Sequence, residues 1–156
     1  MLTAATSKLA VAILLLASVQ TFQVDGGAFK CYEDYRAITA TDSPQYVLQQ
    51  EAHTDENGLR RLGDRYCVAL GSAYGSNIGD KYDIALENGY TLQCVLADQK
   101  ADRDTVQGHT RDRNGAVVEF LVDTYRMPEI VRQMGDVSYI GPEFEGEIKE
   151  IRRVEE

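Results

Sequence analysis

The stretch from Val68 to Asp104 constrains the fold most, because it carries the pattern of a β-hairpin that runs directly into a group of acidic residues. In residues 81–86, apolar and polar side chains alternate with a period of two, which predicts a strand with one face on a core. Asn88-Gly89 follows, a pair that tolerates the positive φ angles of a tight turn. Residues 90–96 alternate in the same way, so we expect a second strand after the turn.

The segment Asp98–Asp104, at the end of that second strand, is the strongest candidate for a site. It holds three aspartates, one lysine and one arginine. Such a segment is most often a solvated loop, but polar side chains at a strand end also form binding and catalytic sites. From composition alone, both interpretations stay open.

Helix signals occur at two other places in the chain. Ser43-Pro44 fits the start of a helix, with serine as N-cap and proline in the first turn, although residues 48–54 fit a strand equally well. From Met127 to Met134, apolar residues recur at i, i+3, i+4 and i+7 and are followed by Gly135, which predicts a short amphipathic helix. We therefore expect little helix in the fold.

Short apolar runs separated by turn residues predict the remaining strands. They lie at residues 66–70 and 116–122, with a closing strand within residues 144–154. Many short strands, frequent turns and one small helix indicate a mainly β fold, a small barrel. The length of 156 residues is enough for one domain with a single core.

The N-terminal residues 1–24 are predicted to be an export segment. Lys8 precedes the apolar run LAVAILLLASV, which is too short for a comfortable membrane span of about 20 residues. A cleaved signal peptide and a retained membrane tether both fit, as does, less well, a buried helix of a cytosolic protein. We expect an extracytoplasmic protein, secreted or anchored, with a linker at residues 25–43 and a domain at residues 44–156.

Charge and motif content exclude several functions. The formal charge of −9 disfavours nucleic acid and anionic lipid surfaces as partners, because a polyanion is repelled. No cofactor or metal is predicted, since DQKADRD lacks the spacing of an EF-hand loop and no phosphate loop or nucleophile motif is present. Cys67 and Cys94 fit either a disulfide or two free buried thiols.

The segment order ALGSAYGSNIGDKYDIALENGYTLQCVLAD, then EFLVDT, then a short helix ending at Gly135-Asp136, resembles the double-psi β-barrel superfamily. That superfamily includes rare-lipoprotein-A-like proteins, the three-aspartate (3D) domain of Gram-positive wall proteins and lytic transglycosylases. The resemblance covers roughly residues 50–140 and implies a six-stranded double-psi β-barrel with one short helix. The phrases YRAIT, GLR and ADQKAD also resemble exported proteins of Firmicutes.

The resemblance implies a cell-wall function with peptidoglycan or another cell-surface glycan as partner. Asp98 takes the position of an aspartate that cleaves glycan strands as general acid and then base, and Asp123 would orient that site. Lys100 or Arg103 would bind sugar or a peptide carboxylate. Asp102 is a further implied substrate-binding residue, and it, Asp104 or Asp123 would supply a second negative charge beside Asp98. The chain departs from the pattern at Gln99–Ala101, where related proteins carry glycines after the first aspartate. A non-catalytic barrel module that binds the wall or a surface protein is therefore the alternative.

Overall fold

Short strands account for most of the regular secondary structure in the computed structural model, which describes residues 20–155. Two short α-helices interrupt them, α1 (Pro44–Glu51) and α2 (Glu129–Met134). The protein is therefore mainly β, as the sequence predicts. Eleven strands follow in chain order: β1 (Thr21–Gln23), β2 (Cys31–Asp34), β3 (His53–Thr54), β4 (Arg60–Leu62), β5 (Arg65–Leu70), β6 (Lys81–Leu86), β7 (Thr91–Gln99), β8 (Thr105–Val106), β9 (Arg111–Asp112), β10 (Glu119–Val122) and β11 (Ile148–Val154).

Nine of the described strands form one mixed sheet in the order β1-β11-β6-β7-β5-β10-β2, with β4 beside β5 and β3 beside β4. Two pairs are parallel, β5 with β7 and β2 with β10. The strands β8 and β9 form a separate antiparallel pair. Because β10 is antiparallel to β5, it starts at the carboxyl end of β5 and runs toward the amino end. This direction decides where the acidic side chains at the strand ends lie.

Alternation along the strands divides the buried side chains between the two faces of the sheet. In β10, Phe120 enters the larger core, where its ring packs edge to face with those of Tyr66 and Phe144. Leu121 faces the other side and joins a smaller core with Leu48 of α1. Burial of each such side chain stabilises the fold by roughly 1.5–3 kcal/mol. Helix α1 therefore covers part of the outer face of the sheet.

Local signals read from the sequence are confirmed at the hairpin and at the second helix, and at Ser43-Pro44 the structure decides for the helix over the strand. Strands β6 and β7 pair antiparallel, and Gly89 in their turn has a φ of 92°. Helix α1 begins with Pro44, and the Ser43 hydroxyl accepts a hydrogen bond from the Tyr46 N–H at 3.1 Å. Helix α2 ends at Gly135, whose φ of 65° is left-handed. Such signals predict structure reliably because capping and turn geometry depend on only a few consecutive residues.

The predicted boundaries need correction, because strands lie in segments assigned to linker and export segment. Residues 25–43, predicted as a linker, contain β2, which pairs with β10. The predicted export segment 1–24 reaches into β1, which pairs with β11; the rest of that prediction falls on residues 1–19, outside the described part. Strands of only three and four residues are too short to show a period. Within residues 20–155, no helix combines the length and apolar character needed to cross a bilayer.

The predictions of six strands and one helix are corrected for the same reason. The described residues hold eleven strands and two α-helices, and several of the additional strands have only two residues. The cysteine alternatives are also decided, since Cys67 and Cys94 are both buried and free. The register pairs Cys67 with Val95, so Cys94 points to the opposite face of the sheet and the two thiols do not meet.

Candidate active site

An open cavity of about 530 Å³ lies where β5 and β7 end and β10 begins. Asp98 of β7 and Glu119 of β10 both pair with Ala69 of β5, and Cys31 of β2 pairs with Glu119. Neighbouring strands lie roughly 4.8 Å apart, which places the backbones of Asp98 and Glu119 about 10 Å apart. Five carboxyl groups and two basic groups line the cavity: Glu33, Asp98, Asp104, Asp112, Glu119, Lys100 and Arg113.

Asp98 is the predicted site residue that the fold places most clearly in this cavity. Its Oδ1 accepts a hydrogen bond from the Gln99 N–H at 2.8 Å and from Gln45 Nε2, at the start of α1, at 3.5 Å. Burial raises the pKa of Asp98 above its usual range, and the two hydrogen bonds offset only part of this effect. The carboxyl group therefore holds its proton to a higher pH than an exposed aspartate does.

Glu33 is the second acid of the site, and the sequence does not single it out. It lies on β2 and lines the same cavity. The pKa of Glu33 is raised to about 6, mainly by burial and then by the nearby charges of Glu119 and Asp98, which outweigh the lowering effect of Lys100. Two carboxyl groups with raised pKa values thus face one open space, an arrangement typical of acid and base catalysis.

Lys100 lines the cavity, but its charge is already paired within the protein. Its ammonium group is buried and forms an ion pair with the Asp112 carboxylate. Its backbone N–H donates to the Leu70 carbonyl oxygen at 3.1 Å. A substrate would have to displace Asp112 to gain this charge, so the predicted role of Lys100 in substrate binding receives no support from this geometry.

Asp112 reaches the site because the β8–β9 hairpin packs closely on the end of β5. A side chain at Gly71 would overlap the carbonyl oxygen of His109 in the hairpin loop. His109 itself has a positive φ of 64°, a strained conformation for a residue with a side chain. The close approach and the strained loop together fix the position of the carboxylate that holds Lys100.

A potential metal-ligating group lies at the edge of the cavity. Among the described residues, Cys31, Asp112 and Glu119 bring their ligand atoms within 4.8 Å of one another. The Cys31 thiol donates to Glu119 Oε2 at 3.3 Å, and burial strongly raises its pKa, so the sulfur carries a proton. Lys100 already neutralises Asp112. A divalent cation would have to displace both the thiol proton and the ammonium group, so these residues fit a proton-bearing cluster better than a metal centre.

The other two predicted binding residues lie outside the cavity lining. Asp102 accepts a hydrogen bond from the Ser72 hydroxyl at 2.5 Å. Arg103 extends into solvent, with 87% of its side chain exposed. Both belong to a 3₁₀ turn whose third member, Asp104, does line the cavity. Arg103 is therefore free to meet a ligand only at the outer rim.

Asp123 does not share a site with Asp98, which corrects the expectation that the two act together. Because β10 is antiparallel to β5, the end of β10 lies at the opposite end of the sheet from Asp98. Asp123 lies four residues beyond Glu119, about 13 Å along a strand. Its Oδ1 accepts from the Tyr125 N–H at 3.1 Å, and its carboxylate pairs with Arg36 at 3.1 Å. Asp123 is a structural cap.

Comparison with known proteins identifies no relative of this chain. No protein-family model, no curated protein and no solved structure matches the chain. The functional argument therefore starts from the acid pair of Asp98 and Glu33 and the open cavity beside it.

Proposed function

We propose that the protein is an exported, wall-associated double-psi β-barrel that cleaves peptidoglycan glycan strands in the manner of a lytic transglycosylase. The mixed pairing, parallel between β5 and β7 and between β2 and β10, supports such a barrel. The segment from β1 to β2 also joins the two ends of the strand order, since the Ile148 N–H donates to the Gly26 carbonyl oxygen and the Val137 N–H to that of Lys30. These two hydrogen bonds hold the connecting segment in place and support the proposal that the sheet curves into a barrel.

The observation that carries the proposed activity is the pair of acids with raised pKa values, Asp98 and Glu33, at an open cavity. A general acid must hold a proton near neutral pH, and partial burial or a neighbouring like charge provides this. Burial acts on both residues here. Burial raises the pKa of Asp98, and burial with the charges of Glu119 and Asp98 raises the pKa of Glu33 to about 6.

The reaction that suits a protonated carboxyl group beside a sugar chain is an intramolecular displacement within that chain. Protonated Asp98 donates its proton to the glycosidic oxygen while the bond from that oxygen to the anomeric carbon breaks, and the oxygen keeps the electron pair. The Asp98 carboxylate then accepts a proton from a hydroxyl of the same sugar as that hydroxyl oxygen bonds to the anomeric carbon. An anhydro ring closes without water, and Asp98 regains its proton. Between the two steps Asp98 is ionised, and its charge helps to keep the proton on Glu33.

The test is incubation of the full chain with purified bacterial peptidoglycan and analysis of soluble products by mass spectrometry. We expect anhydro-muropeptides from the natural sequence and from Asp64→Asn, a matched change of an exposed aspartate far from the cavity. Asp98→Asn should yield none while keeping its circular dichroism spectrum. Equal product from Asp98→Asn would contradict the proposed acid, and products without anhydro rings would contradict the reaction.

A second candidate, a non-catalytic module that binds wall glycan or a surface protein, is favoured by one specific observation. Asp98 and Asp123 each accept a hydrogen bond from a backbone N–H close by in sequence, the usual task of an aspartate at a strand end. Sedimentation of the folded chain with peptidoglycan, without soluble products, would favour this candidate over the enzyme.

A further inference from the structure

We infer that a second cleft, between α1 and the segment that follows β2, binds an uncharged saccharide unit of the glycan strand whose neighbouring unit occupies the acidic cavity. The inference rests on the proposed function for its choice of glycan. The cleft has a volume of about 360 Å³, large enough for one sugar ring. Its lining combines aromatic rings, hydroxyl groups, an amide group and one guanidinium group. They belong to Tyr35, Tyr46, Thr39, Thr41, Gln50 and Arg36.

The charge of the cleft differs from that of the acidic cavity. Arg36 is the charged side chain in its lining, and two carboxylates already neutralise it, with Asp34 at 3.0 Å and Asp123 at 3.1 Å. Apart from Arg36, the lining is uncharged and offers hydrogen-bonding groups to a ligand. Hydroxyl and amide groups pair with the hydroxyl and acetamido groups of a sugar, whereas a charged peptide would find no free counter-ion there.

Two tyrosine rings in or next to this cleft contact guanidinium groups. The Tyr35 ring lies under two guanidinium groups, 4.1 Å from Arg60 and 4.7 Å from Arg36. Arg36 also lies 4.9 Å from the Tyr125 ring, although Tyr125 is 83% exposed. A large exposed ring that is ordered by its neighbours loses little conformational entropy on binding. Tyr125 can therefore offer a flat apolar surface to the C–H face of a sugar ring.

Two chain segments run from the acidic cavity to the cleft. In α1, Gln45 contacts Asp98 in the cavity, and the next residue, Tyr46, lines the cleft. In the segment from β2, Glu33 lines the cavity and Tyr35 lines the cleft. A chain of sugars can thus pass from one to the other, with the cleft fixing which bond reaches Asp98.

The test is titration of the full chain with a soluble, uncharged oligomer of four N-acetylglucosamine units, followed by calorimetry. We expect Tyr46→Ala and Tyr125→Ala each to weaken binding about tenfold or more, the usual effect of truncating an aromatic anchor. Tyr90→Ala and Tyr139→Ala, changes at two half-exposed tyrosines outside the cleft lining, should leave the affinity within about twofold. Tyr46→Phe and Tyr125→Phe keep the rings and should retain most of the binding.

The two proposals fail in distinguishable ways. Asp98→Asn should still bind the oligosaccharide, and such binding without cleavage of peptidoglycan by the natural sequence would leave the cleft in place and remove the enzyme. The cleft proposal is overturned if the natural sequence does not bind at millimolar oligosaccharide, or if the variants Tyr46→Ala and Tyr125→Ala bind as the natural sequence does. The proposal is also overturned if these two variants bind a wall stem peptide more weakly than the natural sequence does but bind the oligosaccharide equally well.

Discussion

Asp98 and Asp123 have the same position in the sequence pattern but opposite surroundings in the fold. Asp98 lies near the end of the long strand β7, and Asp123 directly follows the apolar strand β10. Each accepts a hydrogen bond from a nearby backbone N–H. Asp98 faces a cavity with Glu33, and burial raises its pKa. Asp123 is bound by Arg36. The local motif is the same in both cases. The groups that the fold places around the carboxyl group, the cavity with Glu33 or the Arg36 guanidinium, decide whether it can act as an acid.

The largest expected difference between the two aspartates concerns cleavage of glycan strands. Loss of a general acid lowers a rate by about 10²–10⁴, so Asp98→Asn should reduce the release of anhydro-sugars by that factor. Asparagine preserves the shape and can still accept the Gln99 N–H hydrogen bond. Rates from product analysis at saturating peptidoglycan check this prediction. If Asp98→Asn and Asp123→Asn slow the reaction equally, the distinction between the two ends of the sheet fails.

The next largest effect should come from the buried counter-ion of the acidic cavity. Lys100→Met removes the ammonium group that pairs with Asp112, and leaves that carboxylate beside Cys31 and Glu119. We expect the free energy of unfolding in urea to fall by about 3 kcal/mol, the low end for breaking a buried pair, because Asp112 partly reaches solvent. The double variant Lys100→Met with Asp112→Asn is the control and should recover most of the loss. Equal losses in both variants would show that packing of the lysine stem is what matters.

A smaller effect should appear in the pH dependence of stability, where two adjacent residues act in opposite directions. The pKa of Glu33 is raised to about 6 from an ordinary value of 4.5. The stability that Glu33 contributes is therefore fully present below pH 4.5 and is lost as the pH rises through 6. Burial raises the pKa of Asp34, but hydrogen bonds from Thr124 and Arg36 outweigh it and lower the pKa. Its contribution is present above its ordinary pKa and is lost as the pH falls.

Urea unfolding between pH 4 and pH 7 separates these two contributions. Glu33→Gln should be more stable than the natural sequence at pH 7 by about 1 kcal/mol and should lose that advantage near pH 4.5. Asp34→Asn should be less stable than the natural sequence at pH 7, and the difference should shrink toward low pH. A Glu33→Gln variant with an unchanged pH profile would mean that Glu33 does not hold its proton more strongly in the folded protein.

The sequence predicts those parts of the fold that depend on neighbours along the chain. The Asn88-Gly89 turn, the Ser43-Pro44 helix start and the alternation of β6 all follow from a few consecutive residues. Asp98 is also predicted, because a strand end followed by acids is visible in one segment. The hairpin of β6 and β7 needs no information from the rest of the chain.

The missing parts of the site depend on pairing between distant strands. Glu33 lies on β2, a strand of four residues whose partner β10 is far along the chain. A strand this short has no readable period, so Glu33 could not be distinguished from a linker residue. The separation of Asp98 from Asp123 depends on the direction of β10 relative to β5. Strand direction is set by the whole sheet, and no residue in EFLVDT encodes it.

The smallest expected effect returns to Asp123 and separates a structural cap from a catalytic acid. Asp123→Asn keeps the Oδ1 acceptor for the Tyr125 N–H but removes the charge that pairs with Arg36. Arg36 is partly exposed and keeps Asp34 as a second partner, so the loss should be only about 0.5 kcal/mol in urea unfolding. Cleavage should stay within about twofold of the natural rate. A cleavage defect without a stability defect would instead give Asp123 a role in the reaction, and the site would have to extend to both ends of β10.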